Sequence, residues 1–178
     1  MGIFDEAHAS LLLADYIGVD AAGKLNALGA GFAMSGIQPN GLTAPMYLAA
    51  VIVIPSKYAG QELSACLELR DEETGSAVQL TGPSGQQEAL RIQQVVKVDR
   101  PALPGLYIPE RMPCRVQLNI GFQTGLPLAP GRFYEWRLEI DGQHKKDWHV
   151  SFYVLGPAPG PVFGGPAGPA DLPNLGDS

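Results

Sequence analysis

The strongest constraint on the fold is the run GRFYEWRLEIDGQHKKDWHVSFYV, residues 131–154. Tyr134, Trp136, Leu138 and Ile140 alternate with Glu135, Arg137, Glu139 and Asp141. Successive side chains of a strand point to opposite faces, so this pattern fits a strand with one apolar and one charged face. Asp141-Gly142 then signals a turn, in a loop running to about Asp147. The return strand puts Trp148, Val150, Phe152 and Val154 on one face, and His149, Ser151 and Tyr153 on the other. The segment reads as a β-hairpin with an aromatic inner side and a solvated outer side.

The same period recurs elsewhere. Leu63, Ala65, Leu67 and Leu69 alternate with Glu62, Ser64, Glu68 and Arg70. The turn DEETGS follows, then a short strand around Ala77 to Leu80. Ile92 to Asp99 reads as a strand, and Val116, Leu118 and Ile120 alternate with Arg115, Gln117 and Asn119. Near the start, Ser10 to Val19 and Lys24 to Met34 flank the turn DAAG as another hairpin. Met46 to Ile54, MYLAAVIVI, is apolar on both faces between Pro45 and Pro55. A strand of that kind is central in a sheet or covered on its outer face. Tyr47, Val51 and Val53 are therefore candidate interface residues. Gln86 to Val95 is the sole candidate for a helical turn, and prolines from Pro101 to Pro130 mark irregular connections. The expected fold is all-β: an antiparallel β-sandwich of immunoglobulin-like architecture, with about seven to nine strands. The expected organisation is an N-terminal arm over 1–8, the sandwich over 9–155 and an extended arm over 156–178.

Composition narrows the partners. The net charge is -6 and the twelve Lys and Arg are scattered. Nucleic acid calls for a basic stripe, and an anionic membrane for much the same. Neither partner is expected. The N-terminal MGIFDEAH is acidic where a secretory leader is basic, so none is read there. Two cysteines, Cys66 and Cys114, are too few for a disulfide scaffold, and their strand phases disagree. Free thiols in a reducing compartment are expected.

Reactive motifs fail on spacing. GAGFAMSG, from Gly29, has Met34 where a dinucleotide loop needs glycine. TGPSGQ, from Thr81, has Gln86 where a nucleophile elbow around Ser84 needs glycine. His8, His144 and His149 with Asp147 do not make a convincing zinc set. Asp71, Glu72 and Glu73 lack the alternate spacing of a calcium loop and read as a hairpin turn. Glu135 and Glu139 share their face with Arg137, which fits a solvated surface rather than acid/base chemistry. No catalytic residue, metal or cofactor is expected. Trp136 and Trp148 fall in core phase, which leaves Tyr58, Tyr107 and Tyr153 as candidates for stacking on sugars.

The last 23 residues, GPAPGPVFGGPAGPADLPNLGDS, hold six glycines and six prolines. Such a segment buries too little surface to offset its ordering entropy, and proline cannot complete a sheet ladder. Val162, Phe163, Leu172 and Leu175 are spaced apolar anchors suited to docking on another surface.

Two stretches carry a resemblance: LLLADYIGVDAAGKLNALGAGF, Leu11 to Phe32, and PGRFYEWRLEIDG, Pro130 to Gly142, with SFYV. The matching features are Asp15, the Gly23-Lys24 turn, Leu25-Asn26, the small residues to Gly31 and the closing hairpin. Together these resemble an uncharacterised family of small β-sandwich proteins found in actinobacteria and their tailed phages. The tail is not part of that pattern. The expected function is a non-enzymatic structural protein of a phage virion, a minor capsid or head-decoration protein assembled in the host cytoplasm. It would dock on the major capsid protein and on copies of itself, as a homo-oligomer. The alternative is a carbohydrate or cell-surface binding module.

Overall fold

A computed structural model describes residues 2–82, 85–102 and 104–156; the arm expected over 156–178 lies outside them from residue 157 onward. The described residues are mostly β and almost without helix. A short α-helical turn, α1 (Ile3–Glu6), precedes β1 (His8–Ala14), β2 (Tyr16–Val19), β3 (Leu25–Leu28) and β4 (Met34–Ser35). Then come β5 (Met46–Ile54), β6 (Glu62–Asp71), β7 (Gln79–Thr81), β8 (Gln87–Ala89) and β9 (Arg91–Lys97). The last three are β10 (Cys114–Phe122), β11 (Arg132–Ile140) and β12 (His149–Val154).

One sheet has the order β1-β5-β10 and the other β4-β12-β11-β6-β9; β2-β3 and β7-β8 are two-stranded ribbons. The pairings are antiparallel except for β4 with β12. The closing hairpin forms as its alternation predicts. Tyr134, Trp136, Leu138 and Ile140 are buried, as are Trp148, Phe152 and Val154. Its turn uses Asp141 at φ 50° and Gly142 at φ 75°, the left-handed pair that suits a tight hairpin. A single hydrophobic cluster draws Leu48, Ile52 and Leu118 from the smaller sheet and Leu67, Trp136 and Phe152 from the larger one. Phe122 of β10 stacks on Trp136 of β11 at 5.2 Å.

Three expectations need correction. Gln86 to Val95 holds no helical turn: it is β8 and most of β9, with Leu90 bonded in both directions to Leu69 and Val78. The first hairpin is shorter than Ser10 to Met34. Residues through Ala14 pair instead with β5, and only Tyr16–Val19 pairs with Leu25–Leu28. The switch occurs at Asp15, whose N–H donates to Leu28 and whose carboxylate lies against Gly29. The DAAG turn itself is closed by Asp20, whose Oδ1 accepts the N–H groups of Ala22 and Lys24. Finally, the N-terminal segment lies on its own chain instead of projecting as an arm. Ile3 and Ala7 are buried, and Phe4 meets Trp148 edge-on at 5.4 Å. Lys145 Nζ donates to the carbonyls of Asp5 (3.1 Å) and Ala7 (2.8 Å) while lying over both rings.

Candidate interaction surface

Directly opposed residues of an antiparallel ladder share a face. The register of the smaller sheet therefore sets Met46, Leu48, Ala50, Ile52 and Ile54 inward and Tyr47, Ala49, Val51 and Val53 outward. β5 is central, and its outer face is also covered, but only at one end. The β2-β3 ribbon folds over it, and Ile17 packs with Ala14 and the fully buried Ala49. The two explanations for an apolar strand, central position and an outer cover, both hold.

Tyr47 is committed within the chain. Its ring meets Tyr16 edge-on at 5.4 Å and covers Gly121, where a Cβ would come within 2.7 Å of it. Val51 and Val53 lie beyond the ribbon and remain half-buried. Val51 sits between Ser10 and Gln117, and Val53 between His8 and Arg115. Val53 also lines two clefts. One, of about 500 Å³, is bounded by Asp5, Glu6, His8, Pro55 and Pro113. The second, of about 260 Å³, is bounded by Pro101, Met112, Pro113, Cys114 and Arg115. Because they share Val53 and Pro113, the clefts adjoin at the open end of the sheet.

The charges around them are unevenly engaged. Glu6 accepts from Lys57 Nζ at 2.6 Å and from the Tyr58 hydroxyl at 2.8 Å, and these bonds hold its carboxyl below the ordinary range. Arg115 is exposed on the cleft rim.

The other singled-out residues fall as follows. Val162, Phe163, Leu172 and Leu175 lie outside the described residues. Trp136 and Trp148 are fully buried. Tyr58 is buried, with its hydroxyl bonded to Glu6 and to the Gly2 carbonyl, so it offers no ring for stacking. Tyr107 is 86% exposed in the β9–β10 connection. Tyr153 tilts against Phe133 across the β11–β12 ladder at 4.8 Å. These three tyrosines belong to three separate elements.

His144 and His149 each set Nδ1 on a backbone oxygen, of Leu138 and Lys146, and His8 lies on the smaller sheet. Among the described residues no three His, Cys, Asp or Glu side chains cluster for a metal. Asp71 caps its turn: Oδ1 accepts the N–H groups of Glu73 and Thr74, and Oδ2 takes Arg132 at 2.7 Å. Those bonds, Arg132 first, hold its carboxyl below the usual carboxylate range. Glu68, Glu135 and Glu139 pair with Arg70, Arg91 and Arg137 over the larger sheet. Both thiols are free and buried, and burial pushes Cys114 up. Cys66 lies under Arg91, which donates from Nε to its sulfur at 3.4 Å.

The sequence reading identified Val53 but missed Met112, Pro113, Pro55 and Arg115 as its neighbours. The prolines carried only a loop signal. The register that sets Arg115 opposite Val53 is a long-range pairing with no local signature.

No family model and no curated protein matches the chain. Among solved structures, the Pseudomonas fluorescens alkylpurine DNA glycosylase AlkC bound to DNA containing an abasic site analog aligns over 70% of this chain, at 9% identity and a TM-score of 0.33. This chain covers 28% of that protein. A likeness that slight carries no argument about fold or function.

Proposed function

We propose that the two larger sheets form an immunoglobulin-like β-sandwich that serves as a non-enzymatic structural protein of a phage particle. Its place is on the head, as a minor capsid or decoration protein. Support for the architecture comes from the shared core and from Tyr134. This residue stands near the start of β11, and its hydroxyl returns to the N–H and carbonyl of Ala129 upstream. Such a tyrosine corner recurs in immunoglobulin-like sandwiches. Two residues on, where an antibody domain places a cysteine, this chain has Trp136.

The observation that carries the functional reading is the half-covered outer face of β5. Val51 and Val53 sit half-open beside two adjoining clefts, while the ribbon closes the rest of that strand. A sheet face finished at one end and open at the other suits a subunit contact. The resemblance to proteins of actinobacteria and their phages, and a tail with spaced apolar anchors, supply the setting. In this reading the partners are the major capsid protein and further copies of the chain, in a symmetric oligomer.

Co-sedimentation with undecorated capsids of a tailed actinobacterial phage tests it. The full chain should travel with the shell, and Val53→Asp should reduce the bound fraction. A folded full chain that stays in the supernatant refutes the reading. The second reading, a carbohydrate or cell-surface module, draws on the exposed Tyr107 and the Phe133–Tyr153 pair; a glycan array with Tyr107→Ala as control tests it.

A further inference from the structure

The two clefts at Val53 belong to a longer groove. A third, smaller depression shares Pro101 and Met112 with the second cleft and adds Arg100 and Ile108. The three together run from Arg100, past Met112 and Arg115, to Val53 and the N-terminal turn. The walls are rich in proline, whose missing N–H leaves side-chain contact as the main means of holding a guest. Met112 is 50% exposed there, and an unbranched thioether adapts to varied apolar partners.

The charge along this groove is asymmetric. At the acidic end Glu6 is already matched by Lys57. At the other end Arg100 and Arg115 are both exposed, and Glu110 lies beside them. A guest should therefore be extended, apolar at intervals and acidic. The chain carries such a segment. Residues 157–178 hold Val162, Phe163, Leu172 and Leu175, carry Asp171 and Asp177, and contain no Lys or Arg. Their prolines favour the extended geometry that enters a groove at low entropic cost.

We propose that this groove receives the C-terminal segment, residues 157–178, of a second copy of the chain. The inference rests on the assembly reading above and names the partner for its open face. The apolar anchors seat along Val53, Pro113 and Met112, and the acidic groups face Arg100 and Arg115. Each subunit then gives a tail and accepts one, a heterologous contact that closes into a ring or runs on.

A fluorescein-labelled peptide of residues 157–178 provides the test. It is titrated, by anisotropy, into the full chain carrying Val162→Ser, Phe163→Ser, Leu172→Ser and Leu175→Ser, so that the host's own tail cannot compete. Saturable binding is expected. Met112→Asp in that host should weaken it about tenfold and Arg115→Glu about fivefold, the scale of losing an apolar anchor and a rim charge. Both positions are exposed, so the variants keep the fold. No binding, or binding that neither groove variant weakens, overturns the proposal. So does an unsubstituted chain that sediments as a monomer at concentrations where the peptide saturates. The parent reading is judged separately: a chain that binds capsids while the peptide fails to bind loses only this inference. A chain that binds the peptide but no capsid keeps it and loses the particle.

Discussion

Replacing Gly125 by alanine should be among the most damaging small changes to this protein. Gly125 follows β10 at φ 78°, and an added Cβ would lie 1.9 Å from the carbonyl oxygen of Thr43 and 3.2 Å from its hydroxyl. That threonine is fully buried and ties two distant loops together. Its N–H donates to Leu126 at 2.9 Å, and its Oγ1 accepts the Leu126 N–H at 2.9 Å. The left-handed backbone alone costs alanine about 1–2 kcal/mol. Separating the loops would strand one or two buried polar groups, at about 1–3 kcal/mol each. A stiffer unfolded chain returns about 0.4–1 kcal/mol. The net expectation is a loss of about 3–5 kcal/mol, or roughly 10 °C in Tm for a chain of this size. Gly142→Ala is the control. It has φ 75° but nothing within 4 Å of the added carbon, so only the backbone strain remains, about 1 kcal/mol. Urea unfolding followed by the fluorescence of Trp136 and Trp148, both fully buried, reports the two variants side by side. Equal midpoints for Gly125→Ala and Gly142→Ala would refute the reasoning, because then the Thr43 contact contributes nothing beyond φ.

Three further outcomes are expected. Lys145→Ala should release the N-terminal turn, lowering stability by about 1–2 kcal/mol and speeding amide hydrogen exchange at Ala7, whose N–H donates to Ile3; unchanged exchange there would remove Lys145 from the clasp. The Asp71 carboxyl is held below its unfolded value by Arg132 and turn N–H groups, so its contribution is present above the unfolded pKa and is lost as pH falls through the folded one; urea midpoints from about pH 6 to about pH 2 should fall less steeply for Asp71→Asn than for the parent. Finally, Cys66 and Cys114 should resist an aromatic disulfide reagent in the folded protein and both react in urea, since both are buried; rapid reaction of the native chain would contradict the packing around them.

The parts of the fold legible in the sequence are those with local causes. The closing hairpin was fixed by strict alternation over eight residues and by Asp141-Gly142, and the buried phase of Trp136 and Trp148 followed from the same pattern. The turn at Asp71 could be read from its polar run. What could not be read depends on pairing at a distance. LLLAD runs on into YIGV with no break in apolar character, so the handover at Asp15 from β5 to β3 left no trace beyond one acid. The segment around Leu90 looked weakly helical because Gln, Glu, Ala, Leu and Arg are good helix formers; pairing of β8 with β7 and of β9 with β6 overrides that local preference. In the candidate site, the two-faced character of β5 singled out Val53, which lies half-buried beside two clefts. Tyr47 could not be separated from it, because the ring that covers Gly121 is fixed by the β5–β10 register alone.

The Lys145 clasp bears on the order in which the molecule can be made. The turn it holds lies about 140 residues upstream, and Trp148, which receives Phe4, emerges later still. During synthesis Phe4 and the carbonyls of Asp5 and Ala7 must therefore wait for residues 145–148, although Glu6 can meet Lys57 and Tyr58 much sooner. β1 can find β5 well before that, but Phe4 has no Trp148 to meet until the β11–β12 connection arrives. The clasp is thus a late step of folding: the turn at residues 3–6 gains its last partners from a segment about 140 residues further along the chain.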